Sequence, residues 1–502
     1  MTVSAPTSER GSWAAFAVCV AVAIATILDL VKVNVTLTPI EETLGATSSE
    51  AQLIVAGYVL AFGILLVPAG RLGDLWNRKA MFIIGLVTFM AASLLCALSW
   101  NATVLVAARL LQGAAAGILM PQVIGLIQNL FQGQQRGQAF GIFGASIGLG
   151  TAFGPTIGGL LIGALGNELG WRWTFGMNVP LALIILPFAL KLIPGRQKHI
   201  EGPGKRDLDL VGVLLMAVTV LFVMLPFVLT TGTDADDPNR WWLLLGAVVF
   251  GAAFVWWERR YLAAGHNPVI DFGLFRWASY RYGVIITTIW FAMMPPTMLL
   301  MTLYLQQGLG HEAVVVGMVS IPFAIISAIV AAWTGRYTFK HAATLVLVGM
   351  IIFAVAMFGM MAVGIWGNAE NSPWLFAIVL GLGGVGPGFI MSANQMRTLK
   401  HVPLESAGVG GSFMQVGQRL GNAMGIAVAA SIFYAVASIA PMNGSVPDHT
   451  DPATAGIYQD AFVAAVWFPI GLALVGLLVS WLDWRVDRRE RAAGTANLNL
   501  PR

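Results

Sequence analysis

Apolar residues run along this chain in blocks of roughly 20, parted by short polar loops. A helix needs about that length to cross about 30 Å of hydrocarbon. Strands of a membrane barrel would instead alternate over segments of about 10 residues, and no such rhythm occurs. Fourteen blocks can be placed, centred near residues 26, 61, 89, 113, 150, 182, 219, 250, 292, 323, 353, 384, 422 and 470. The first starts near Trp13 and continues past Thr36 with no small-residue cleavage site behind it, so it reads as a retained span rather than a signal peptide.

Composition turns the pattern into a class. Of 502 residues, 57% are apolar and 10% charged, with a mean hydropathy of +0.78. Soluble chains carry about 25% charged residues, so this one lacks the polar surface to coat a water-soluble globule. The expected fold is an all-α polytopic membrane protein. Cys19 and Cys96 both fall inside apolar blocks and read as packing residues. The pI of 9.1 reflects basic loops and gives no ground for a nucleic-acid partner.

The charges set an expected orientation. With the N-terminus inside, 23 of the 28 Lys and Arg lie in cytoplasmic segments, two (Arg172, Arg240) lie outside and three fall within spans. Acids do the reverse, with Glu41, Glu42, Glu50, Asp234, Asp236, Asp237, Asp448 and Asp451 among twelve on the outer side. The positive-inside rule then makes both termini cytoplasmic.

The expected layout is a tail (1–12), a six-helix bundle (13–193), a cytoplasmic linker (194–208), two inserted helices (209–265), an interfacial segment (266–281), a second six-helix bundle (282–484) and a tail (485–502). The linker holds PGRQKHIEGPGKRD (194–207), rich in Pro, Gly and charge. The interfacial segment, NPVIDFGLFRWASYRYG (267–283), mixes aromatics with Arg276 and Arg281, as a helix lying in a membrane surface does. Such a plan implies an internal repeat. Traces of one are AGRLGD (69–74) against TGRYTF (334–339), and GAAAGILMP (113–121) against GLGGVGP (381–387).

Three stretches carry candidate function. In GRLGDLWNRK (70–79), Gly70 allows close helix approach, Asp74 can cap a helix N-terminus, and Arg78 and Lys79 anchor one membrane face. RLLQGAAAG (109–117) sets Arg109 and Gln112 in an apolar helix ahead of small residues. GLGTAFGPTIGG (148–159) repeats Gly150, Gly154 and Gly158 every four residues as a flat ridge, with Pro155 removing a backbone donor; such ridges also serve plain helix packing. No GxxxxGK[ST] loop, metal-ligand cluster or serine elbow occurs, and GLGGVG (381–386) follows no strand. The chain is expected to be no enzyme and to need no cofactor.

At these residues the sequence resembles the major facilitator superfamily. GRLGDLWNRK is similar to its loop 2–3 signature, RLLQGAAAG to its fourth-helix signature and GTAFGPTIGG to its fifth-helix antiporter signature. LDLVKVNVTLTPI (28–40), GWRWTFGMNVP (170–180), NPVIDFGLF (267–275) and QRLGNAMGIA (418–427) resemble the fourteen-helix drug/proton antiporter family over residues ~12–485. The resemblance implies two six-helix bundles plus two inserted helices. It also implies gating roles for Gly70, Asp74, Arg78, Gly150, Gly154, Pro155 and Gly158.

Charges inside membrane helices are costly and mark function by default. Asp29, Lys32 and Thr36 fall at i, i+3 and i+7 on one helix face, and Gln415, Arg419 and Asn422 on another. In a facilitator fold both faces line the central cavity, which makes Thr36, Gln112, Gln415, Arg419 and Asn422 the expected substrate contacts. Asp29 is the only acid expected in the interior. It is the candidate proton carrier, with Lys32 and Arg109 modulating it; Lys32 is the alternative titrating group. One acid and three bases sum to +2, which favours neutral or anionic amphiphiles. Trp290, Phe291, Met293, Met294 and Met298 offer a plastic apolar wall or ordinary packing.

The expected function is proton-coupled export of hydrophobic or amphipathic compounds such as drugs, by alternating access, in the cell membrane. The proton gradient is the energy source, membrane lipids surround the chain, and it acts as a monomer. A lipid or lipid-like amphiphile transporter serving the cell envelope is the alternative. A non-transporting sensor or scaffold is a remote third, disfavoured by the lack of a soluble domain.

Overall fold

A computed structural model describes residues 9–195, 209–230, 237–266, 268–270, 272–438, 442–443, 446–447, 452–492 and 494. Most of the tails, nearly all of the expected linker, and Asp234, Asp236, Asp448 and Asp451 lie outside the described residues.

The chain forms α1 (Glu9–Lys32), α2 (Leu37–Leu44), α3 (Ser48–Leu75), α4 (Arg78–Ala97), α5 (Ala102–Leu130), α6 (Gly133–Gly176) and α7 (Asn178–Leu192). The inserted pair is α8 (Leu210–Val228) and α9 (Leu243–Ala263). Then come α10 (Ala278–Leu303), α11 (Ala313–Val319), α12 (Ile321–Thr334), α13 (Thr338–Trp366), α14 (Ser372–Gly383), α15 (Val385–Thr398), α16 (Ala407–Ala437) and α17 (Pro452–Ala492). The only strands among the described residues are a two-residue pairing of Met442–Asn443 with Val446–Pro447.

Among the described residues, thirteen helical stretches are long and apolar enough to cross a membrane. One of them, Gly133–Leu192, has 60 residues, about 90 Å at 1.5 Å per residue and enough for two crossings. It breaks at Gly166, whose φ of 77° suits a residue without a Cβ. Fourteen crossings result, at the expected places.

Two large apolar cores and a smaller third fill the molecule. One gathers side chains from α1 and α3–α9, together with Tyr280 and Val284 of α10 and Val409 and Val416 of α16. The second is built from α10–α17. The inserted pair joins the first core through Val220 and Met224 of α8, which pack over Gly63 of α3. The outer faces of α8 and α9 stay apolar and exposed, as lipid contact requires.

The internal repeat is visible as packing. Gly117 of α5 sits on the Phe62 backbone of α3, and Gly384, just before α15, sits on the Phe323 backbone of α12. Between the halves, α3 crosses α16 where Gly70 meets Gly408, and α12 crosses α6 where Gly335 meets Gly137. These crossings are the structural counterpart of AGRLGD and TGRYTF.

The expected interfacial helix is instead a single 3-10 turn, Phe272–Arg276. Val269, Ile270 and Leu274 are buried in the first core and Phe275 packs edge-on against Phe413, so the apolar side chains enter protein rather than lipid. Acids outside the transmembrane interior are buried as well as Asp29. Asp74, Asp209, Glu258, Asp483 and Asp487 are buried too, near the ends of helices that carry the basic loops. The helices outrun the hydrocarbon: α17, with 41 residues, is about 60 Å long, so Asp483 and Asp487 sit on helix near its end and pack. Asp483 and Asp487 both bind Arg397, the latter at 2.7 Å.

Candidate functional site

The first half closes around an ionic centre. Asp29 sits one turn before the end of α1, and Lys32 ends it. Arg109 enters from α5 and Asn178 from the first residue of α7. Arg109 Nη1 donates to Asp29 Oδ2 at 2.6 Å, and Lys32 Nζ lies 3.1 Å from Asp29 Oδ1. Asn178 Nδ2 donates to Asp29 Oδ1 at 2.6 Å, while Asn178 Oδ1 accepts from Lys32 Nζ at 3.1 Å. Asp29, Lys32 and Arg109 are all 0% exposed. Both carboxylate oxygens are therefore occupied, and two cations share one anion.

An outer ring fixes Arg109. Its Nη1 also donates to Gln112 Oε1 at 2.7 Å, its Nε to Ile54 O at 2.9 Å, and its Cζ stands 4.3 Å over the Tyr58 ring. Gln112 in turn donates to Ser93 Oγ at 2.8 Å. Sequence reasoning missed Asn178 and Ser93. An amide at the head of an otherwise apolar helix, inside GWRWTFGMNVP, was the available signal.

Gly154 and Gly158 of the ridge lie directly against the helix that carries the charges. A Cβ on Gly154 would stand 3.1 Å from Val31 Cβ, and one on Gly158 would stand 2.6 Å from Val35 Cγ2 and 3.2 Å from Lys32 O. Gly150 is looser, at 3.7 Å from Ile24 O. Pro155 sits inside α6 between the two tight contacts.

Asp74 and Arg78 meet the second half at the basic-loop end. Asp74 Oδ1 accepts from Arg78 Nη2 at 2.6 Å and from Gly408 N at 3.1 Å, and Oδ2 accepts from Val409 N at 3.0 Å. These are first-turn amides of α16, which are unpaired within the helix and carry its positive dipole end. Arg78 Nη2 donates onward to Leu404 O at 2.6 Å. Asp74 does cap a helix, on the opposite half of the molecule. Gly70 lies under the same crossing, where a Cβ would stand 2.9 Å from Gly408 O.

The expected substrate contacts separate. A narrow cleft lies between α5 and α6 on one side and α15 and α16 on the other. Gln415 lines it, together with Gln395 and Gln418. A second cleft shares Met391, Gln395 and Gln418 with it and reaches Trp290 and Phe291. Thr36 and Gln112 are fully buried away from both. The chain leaves α geometry at Val33, so Thr36 does not continue the Asp29 face and its hydroxyl bonds Val33 O at 2.8 Å. Arg419 lies 4.2 Å over the Phe62 ring, and neither it nor Asn422 lines either cavity. Met293, Met294 and Met298 pack in the second core.

The chain matches the Major Facilitator Superfamily over residues 14–426. It is 31% identical to a probable actinorhodin transporter of Streptomyces coelicolor, over 91% of this chain and 79% of that protein. It is 30% identical to the multidrug resistance protein Stp of Mycobacterium tuberculosis, over 84% of this chain and 76% of that protein. In three dimensions it resembles the human organic anion transporter MFSD10 with a TM-score of 0.63 at 14% identity, covering 94% of this chain and all of that one. Fourteen crossings, two helical halves meeting at a cavity and a family match across most of the chain agree: this protein belongs to the major facilitator superfamily and is a multi-pass plasma-membrane transporter of small molecules.

Proposed function

We propose that the chain is a proton-coupled exporter of hydrophobic or amphipathic compounds that works by alternating access, with both termini in the cytoplasm. The observation that carries this reading is the buried Asp29 carboxylate bound by Lys32, Arg109 and Asn178. Removing a charge from water costs several kcal/mol after relaxation, and one cation would neutralise this acid. With a second cation present, release of a proton from Lys32 leaves Asp29 matched with Arg109, whereas uptake of a proton by Asp29 frees both cations and drives the centre apart. The proton is carried by Asp29, or by Lys32, whose ammonium is the only one of the two cations that deprotonates in proteins. The relatives named for actinorhodin transport and multidrug resistance support export of amphipathic compounds.

The Asp74–Arg78 cluster is the latch of the cycle. It holds the two halves together at the basic-loop end, so the arrangement is closed toward the cytoplasm. The glycine ridge of α6 lets α1, and with it Asp29, slide as the halves rock.

The test uses purified protein in liposomes with an imposed pH gradient and an internal pH dye, with neutral, cationic and anionic amphiphiles added in turn. Substrate-triggered proton movement in wild type that vanishes in Asp29→Asn supports the reading. An Asp29→Asn variant that couples as well as wild type moves the carrier role to Lys32. If no compound moves protons and labelled lipid changes leaflet, the chain is a lipid transporter instead.

A further inference from the structure

The cavity between the halves is lined by amides and apolar side chains, and none of the residues lining it is charged. Gln415 is 2% exposed, and both its Nε2 and its Oε1 lack a hydrogen-bond partner. Gln395, 5% exposed and on the opposing α15, has an Nε2 without a partner. Both residues line the same space. Polar atoms shut away from water carry a penalty unless paired, so one acceptor and two amide groups rich in N–H converge on a volume that otherwise offers Met120, Phe140, Phe143 and Met391.

The cations that would have made this space positive are elsewhere. Lys32 and Arg109 are bound to Asp29, and Arg419 is turned onto Phe62.

We infer that this cavity selects uncharged, flat amphiphiles that present adjacent hydrogen-bond donor and acceptor groups, as a lactam, an imide or a carboxamide does, with Gln415 and Gln395 reading that edge. An amide reads such an edge well because its N–H and C=O lie in one plane and point the same way. The apolar body of the ligand rests on thioether and phenyl groups that repack around differing shapes. A cationic ligand finds no carboxylate there, and an anionic one finds no free guanidinium on the lining. This rests on the reading of the cavity as the substrate site and names its substrate class.

The experiment is equilibrium binding to the full-length protein in detergent or nanodiscs, at constant pH and with no gradient. Four probes share one ring system: naphthalimide, its N-methyl derivative, naphthoate and a naphthylmethyl trimethylammonium salt. In wild type the imide is expected to bind about tenfold tighter than its N-methyl derivative, because methylation deletes the donor and leaves a buried acceptor unmatched. Both charged probes bind more weakly still. Gln415→Leu shrinks the imide to N-methyl ratio toward one, because Gln415 Oε1 is the acceptor for the imide N–H, whereas Gln395→Leu removes a donor to the carbonyl that both probes keep and weakens both. The ratio is internal to each variant, so a reduced folded fraction does not move it, and Gln415→Asn serves as a second, polar variant that retains part of it.

Equal affinity for imide and N-methyl imide in wild type overturns the inference. So does an undiminished ratio in Gln415→Leu, or a preference for naphthoate that disappears in Arg419→Gln. Failure of proton coupling in liposomes leaves these ratios untouched, so the two readings fail separately.

Discussion

Asn178 touches both members of the buried ion pair at once, donating to Asp29 at 2.6 Å and accepting from Lys32 at 3.1 Å. It holds the end of α1 against the start of α7 and sets how Asp29 and Lys32 face each other. Asn178→Ala deletes two hydrogen bonds to charged groups, each worth about 1.5–3 kcal/mol. The expected result is a lower melting temperature of the detergent-solubilised protein and a displaced pH profile of transport. Asn178→Asp sets a second acid against Asp29 and Lys32 and is expected to displace that profile in a different way. A variant with wild-type profile and stability would make Asn178 a spectator.

Arg109→Leu leaves Asp29 with Lys32 alone and opens the bond to Ile54 O. Breaking one side of a buried pair costs about 3–5 kcal/mol. Thermal stability should fall accordingly, and Arg109→Lys should restore part of it without restoring transport, because a lysine lacks the fork that reaches Asp29, Gln112 and Ile54 together. Transport assays in liposomes check both.

The ridge on α6 predicts a graded series. Gly150→Ala meets only ordinary contact at 3.7 Å, Gly154→Ala presses Val31 at 3.1 Å, and Gly158→Ala overlaps Val35 at 2.6 Å. Transport, normalised to folded protein, should be near normal, reduced and lost in that order. Equal rates for all three would show that α1 and α6 need not move closely past each other.

Asp74→Asn keeps the shape of the latch but removes the charge that Arg78 and the α16 amides share. The halves should open more readily at the basic-loop end. A cysteine reporter placed in that crossing should label faster, with transport falling severalfold. Unchanged labelling would argue against a latch.

His401, in the loop between α15 and α16, is half-buried, stacked on Trp277 at 4.3 Å and 3.0 Å from Ser279 Oγ. Burial, with Lys400 and Arg397 nearby, pushes its pKa down from 6.5 to about 4. Below pH 6.5 the unfolded chain then binds a proton that the folded chain refuses. Stability contributed by this group is full above pH 6.5 and lost as pH falls toward 4. Melting temperatures across that window should decline in wild type, and the decline should be shallower in His401→Phe.

Periodicity and charge were enough to place fourteen crossings, because block length and loop charge are local properties. The pairing of Asp29 with Arg109 was also within reach, since charges in hydrocarbon seek each other. Gln395 was not, and Asn178 was signalled only as an amide at the head of an apolar helix. Each is a single amide whose partner or cavity exists only once distant helices meet. The contact of Arg419 with Phe62 was not legible either, because a basic residue on a helix face declares its charge but not its orientation. The burial of Asp483 and Asp487 was not legible because hydropathy marks where lipid ends, not where the helix does.

The latch has a lopsided tolerance to mutation. On the α16 side its contacts are backbone N–H groups, which every residue except proline supplies, so Val409 can drift with little effect on the bond itself. Gly408 is constrained only by room, since a Cβ there would stand 2.6 Å from Asp74 Oδ1. On the α3 side everything depends on one carboxylate. Sequence variation accumulated over descent should therefore fall unevenly across this contact, freely at one edge and scarcely at the other.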